Sequence, residues 1–162
     1  MRNIRALAGA AFAAAALLSL TGRAAEERFD ACDIFTQADA EKALGTAAEA
    51  EPPNPKVRRP KVITSCAYNG FKDGKPVAAS VQFRFGRSDE ETRDAFESAR
   101  LQYQTKPMLI PGTGGVFWSA KTGQLNVLKG RAWITLTVGG AKPTDRDDEQ
   151  ARKLAEALAP KL

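Results

Sequence analysis

Gly115-Val-Phe-Trp-Ser-Ala-Lys121-Thr122 is the nearest approach in this chain to a phosphate-binding loop. A P-loop, G-x-x-x-x-G-K-[ST], cradles phosphate oxygens with the backbone N–H groups of its glycines and adds the charge of its lysine. Here alanine stands at the second glycine, and Val116, Phe117 and Trp118 favour a strand over an open loop. No helical pattern follows to aim its N-terminus at an anion. Pro111–Gly115 therefore reads as a turn leading into a strand, and Lys121-Thr122-Gly123 as the close of a hairpin. No nucleotide and no other cofactor is expected.

The rest of the chemistry narrows quickly. The chain has no histidine, which removes Ser-His and Cys-His nucleophile pairs and the usual zinc and copper sites. The S-x-x-K motif is absent as well. Two carboxylates can meet in space from anywhere in a sequence, so a small hydrolase using such a pair stands as the alternative function. Thr144–Glu149 (TDRDDE) lacks the alternate acids, central glycine and distant glutamate of a calcium loop, and reads as a helix start. No metal site is expected.

Two features could bind something. Lys56, Arg58, Arg59 and Lys61 place four cations in the six residues KVRRPK. They would suit a lipid headgroup, a glycan or an acidic protein patch, or else form a solvated loop that keeps a strand edge from pairing with other chains. Trp118 and Trp133 either pack in the core or present a stacking platform. Ile134, Leu136 and Val138 share one strand face, which leaves Trp133 on the other with Thr135 and Thr137.

The N-terminus carries an address. Arg2 and Arg5 precede an apolar run, Leu7–Leu20, of about 14 residues, short of the roughly 20 that span a bilayer. Gly22 and Ala24 are the small residues of a cleavage site, so 1–24 reads as a signal peptide and 25–162 as one exported domain. Leu20–Arg23 looks like a lipobox with Arg23 where the acylated cysteine would stand. The product is therefore expected to be periplasmic or secreted, not lipid-anchored and not membrane-spanning. Cleavage removes three of the 24 basic residues, leaving 21 against 19 acids and a net charge of +2 instead of +5. The basic character belongs to the leader and does not argue for nucleic acid. Cys32 and Cys66 remain, and in an oxidising compartment they are expected to form a structural disulfide.

Elements to hold these residues follow from capping and periodicity. Thr36, Ser88 and Thr144 each precede a carboxylate by three residues, marking three helix starts. The first helix runs to Leu44 and stops at Gly45. The second carries Thr92, Ala95, Phe96, Ala99 and Tyr103 on one face, and the third Ala151, Leu154, Ala155 and Leu158. Val77–Phe85 alternates as a half-buried strand, pairing with Ile63–Tyr68 across the turn-rich NGFKDGK. Val116–Ala120, Gln124–Leu128 and Ala132–Val138 form a meander, with Gly130-Arg131 as a two-residue turn. The expectation is an α+β domain: an antiparallel sheet of about five strands with three helices, in the order α-β-β-α-β-β-β-α. Residues 49–60 are left as an irregular proline-rich loop.

In CDIFTQADAEKALG (Cys32–Gly45), SCAY (Ser65–Tyr68), PGTGGVFWS (Pro111–Ser119) and LNVLKGRAWITLTV, the chain resembles bacterial secreted proteins and lipoproteins of the DUF3558 type. The resemblance implies an exported single domain with a Cys–Cys bridge and carries over no catalytic residues. Such proteins are often lipid-anchored, and Arg23 departs from that pattern. Taken with the missing catalytic groups, the expected function is a non-enzymatic domain that binds another envelope component, whether protein, lipid or glycan.

Overall fold

A computed structural model of the chain describes residues 30–51, 63–103, 105 and 107–161. The leader of residues 1–24 and the basic residues Lys56, Arg58, Arg59 and Lys61 lie outside the described residues.

Each of the four α-helices among the described residues begins on a side chain that accepts one of its free backbone N–H groups. Asp30 caps α1 (Ala31–Ile34), Thr36 caps α2 (Gln37–Leu44), Ser88 caps α3 (Asp89–Gln102) and Asp147 caps α4 (Asp148–Leu158). In α2 the exchange is reciprocal: the Asp39 N–H donates to Thr36, and the Thr36 N–H donates to the Asp39 carboxylate. Gly45 then ends the helix in the left-handed region at φ 68°. The last helix starts later than its hydroxyl suggested. Pro143–Asp145 forms a separate 3-10 turn, and Asp147 accepts the Gln150 N–H at 2.9 Å.

The strands are β1 (Ala48–Ala50), β2 (Ile63–Lys72), β3 (Lys75–Phe85), β4 (Pro107–Met108), β5 (Gly115–Ser119), β6 (Gln124–Lys129) and β7 (Ala132–Gly139). They form one antiparallel sheet in the order β1-β2-β3-β7-β6-β5-β4. The α+β class and the antiparallel sheet are as expected, but the sheet has seven strands and the domain four helices, not five and three. The additions are α1, β1 and β4, of four, three and two residues, too short to show a period in sequence. Glu49 and Ala50 thereby leave the irregular loop and join the sheet edge. The β2–β3 hairpin also runs further than expected. Strand pairing continues to Lys72 and Lys75, and only Asp73 and Gly74 turn, both at positive φ.

The register sorts side chains to two faces. Facing α1, α2 and α4 are Cys66 and Tyr68 from β2, Ala79, Val81 and Phe83 from β3, Ile134, Leu136 and Val138 from β7, and Leu125 and Val127 from β6. Against them pack Ala40, Ala43 and Leu44 of α2 and Ala151, Leu154, Ala155 and Leu158 of α4. Phe35, fully buried, sets its ring edge-on to Tyr68 at 5.2 Å, and the Tyr68 hydroxyl donates to the Phe35 carbonyl. Among the described residues the other face receives only α3. Phe96 meets Phe117 at 4.9 Å and Trp133 at 6.0 Å, with Leu128 completing this smaller core. Ala95, expected on the packed face of α3, is exposed, because Thr92 and Phe96 set the buried stripe.

The C-terminus is tied back to α2. Lys161 donates to the Asp39 carboxylate at 2.7 Å. Partial burial alone would raise the Asp39 pKa, but the hydrogen bonds from Lys161 and from the Thr36 backbone and hydroxyl, with the lysine charge, outweigh it and hold it below 3.8. A carboxyl depressed in the folded state stabilises above its unfolded pKa, and that contribution is lost as pH falls through the lower folded value. Asp39→Asn should therefore lower the melting temperature at neutral pH and lose its effect below the ordinary carboxylate range. Thermal melts of both proteins from pH 7 to pH 2 check this, and parallel curves would contradict it.

Candidate functional site

Alternation puts a different set of side chains on the α3 face, and cross-strand pairing lines them up in rows. In the row beneath α3, Arg84 stands opposite Trp133, and Trp133 opposite Leu128. One step along the strands, Ser65, Gln82, Thr135 and Asn126 lie side by side. One step further, Ala67, Ser80 and Thr137 follow, with Gln124 beyond Thr137 on β6. Among the described residues the helix covers the first row and nothing covers the next two. These two rows line a groove of about 240 Å³, floored between Cys66 and Val81, whose side chains belong to the opposite face.

The groove has a definite chemistry. Its polar side chains are hydroxyls and amides, and among the described residues no Asp, Glu, Lys or Arg lines it. Ser65, Ser80, Gln82, Gln124 and Thr137 make no side-chain hydrogen bond within the described protein, so their donors and acceptors are available to whatever enters. Thr135 is held in place. Its hydroxyl donates to Asn126 Oδ1 at 3.4 Å, and the same oxygen accepts the indole N–H of Trp133 at 2.9 Å. Asn126 is 4% exposed and also donates to the Gln124 carbonyl. One buried amide thus fixes the tryptophan beside the groove and a threonine within it.

The two tryptophans go to opposite faces. Trp118 pairs with Leu125 and packs, half-buried, on the main core under the helices. Trp133 lies on the open face as expected, half-buried, with the edge of Phe96 on one side and the Arg84 guanidinium 5.4 Å from its ring centroid. They do not form one surface, and only Trp133 adjoins the groove. Cys32 and Cys66 are joined by a disulfide that pins α1 to β2, their Cα atoms 5.1 Å apart. The hydroxyl and amide residues of the groove were visible in sequence only as the outward half of each strand's alternation. Their convergence comes from strand pairing.

Among the described residues no helix is long and apolar enough to cross a membrane. The chain matches no family model, no curated protein and no solved structure.

Proposed function

We propose that this is a non-enzymatic exported domain that binds another component of the bacterial envelope through the groove beside Trp133. The observation that carries this reading is the half-covered sheet face. An antiparallel sheet can leave one face to water, with polar side chains alternating outward. Here part of it forms a groove whose described lining is neutral, with five uncommitted hydrogen-bonding side chains and a sixth set by a buried asparagine. Such a lining can orient a ligand, and it offers no acid, base or nucleophile pair for chemistry. The apolar leader and the disulfide support an extracytoplasmic setting. The cations of residues 56–61 supply a second, electrostatic contact in this reading.

Ser80→Arg places a long cation in the middle of the groove from a side chain with no internal hydrogen bond to lose. The expected result is a protein that melts within a few degrees of the parent yet no longer retains the envelope component that the parent captures from solubilised envelope. Equal retention by the folded variant would refute the groove as the binding surface.

A further inference from the structure

We infer that the occupant of the groove is an uncharged, extended glycan of the β-1,4-linked type, lying across the strands. This rests on the reading of the groove as the binding surface and names what it binds.

Three observations lead there. The first is charge. Among the described residues every polar side chain lining the groove is neutral, and Arg84, one row away, is turned onto the Trp133 ring. Among the described residues an anionic ligand would meet no counter-charge on this floor, and a cationic one no acid. The second is functional-group matching. Hydroxyls and primary amides each both donate and accept, as sugar hydroxyls do, so either can meet a ring hydroxyl in whichever sense it presents. The third is spacing. Gln82 and Thr135 are direct cross-strand neighbours, as are Ser80 and Thr137. Neighbouring strands lie about 4.8 Å apart, so the hydroxyls and amides recur at that step perpendicular to the strands. That is close to the repeat of an extended β-1,4-linked chain, in which successive residues would each find a partner. An extended peptide presents side chains to one surface only every second residue, about 6.6 Å apart, and would pair with a strand edge, whereas these rows lie on a sheet face. Trp133, held by Asn126 and carrying Phe96 and Arg84 against its ring, bounds these rows on one side.

The test is amide chemical-shift mapping of the isotopically labelled protein with chitotetraose, cellotetraose and the α-1,4-linked maltotetraose. The expected result is that a β-1,4 tetraose shifts the amides of Ser65, Ser80, Gln82, Thr135 and Thr137 at millimolar concentration, and maltotetraose shifts them less. Gln82→Ala and Thr137→Ala each remove one neutral hydrogen bond and should weaken that binding roughly two- to tenfold. Shifts confined to another surface, equal shifts with maltotetraose, or no shift with either β-1,4 tetraose would each overturn the inference. If the tetraoses fail while Ser80→Arg still abolishes capture of an envelope component, the groove stands as the binding surface and the glycan falls. If Ser80→Arg leaves capture intact, the binding surface itself is misplaced.

Discussion

Replacing Cys32 with serine and Cys66 with alanine together is expected to lower the melting temperature by roughly 10–20 °C, among the largest effects any exchange in this chain should produce. The bridge joins residues 34 apart. Removing that closure returns conformational freedom to the unfolded chain, about 3–4 kcal/mol on the loop-entropy estimate. The folded state loses as well, because α1 is a single turn of four residues that cannot persist on its own. Its other ties include the Ala31 N–H, which donates to the Thr64 hydroxyl at 3.1 Å, Lys161, which donates to the Ile34 carbonyl at 3.4 Å, and the adjoining Phe35 ring against Tyr68. Once the bridge is gone, α1 and Phe35 should open first. Hydrogen exchange should then rise at Ala31 and Phe35 before it rises at β3 or β7. A melting shift of only a few degrees, worth about 1 kcal/mol, would show that the packing of Phe35 holds this corner without the bridge.

What sequence made legible here was local, and what it hid was pairing. Thr36 with Asp39 and Ser88 with Glu91 announce their helices because a cap is a contact between near neighbours. The two-residue periods of β3 and β7 likewise separate Val81 and Leu136 from Gln82 and Thr135 without any structure. Trp118 is different. It sits in Val116-Phe117-Trp118, three bulky residues in a row, so alternation gives no sign of which face is which. Both faces of β5 are in fact buried, Val116 under the helices and Phe117 under α3. The groove was hidden for a stronger reason. Gln82 and Thr135 are 53 positions apart, and they meet only because β3 pairs with β7. Nothing in the local pattern selects that partner over β5 or β6, since hairpin signals fix only sequential neighbours. Short elements failed in the same way: β1 and β4 have too few residues for any period and exist because a neighbouring strand offers an edge.

Gly123→Ala should destabilise the domain by about 2–4 kcal/mol, while Gly112→Ala, eleven residues earlier in the same glycine-rich stretch, should cost about 1 kcal/mol. Both glycines have positive φ, 60° and 78°, so both exchanges incur the left-handed backbone penalty, partly offset by a less flexible unfolded chain. They differ in what surrounds them. A Cβ on Gly112 meets nothing within 4 Å, whereas one on Gly123 lies 2.7 Å from the Pro143 carbonyl oxygen and 2.8 Å from Pro143 Cα. The Pro143 backbone cannot easily retreat. Arg146 donates to the Thr122 carbonyl at 2.6 Å and to the Gly140 and Ala141 carbonyls, clamping the β5–β6 turn to the segment leading into α4. A Cβ at Gly123 must break that clamp or displace the turn, and equilibrium denaturation of the two variants measures the difference. Equal losses would mean that the loop yields and that Arg146 does not hold it rigidly. In a phosphate loop the penalty would arise from a ligand the alanine excludes. Here it arises with no ligand, because Gly123 is small where another part of the same chain passes against it.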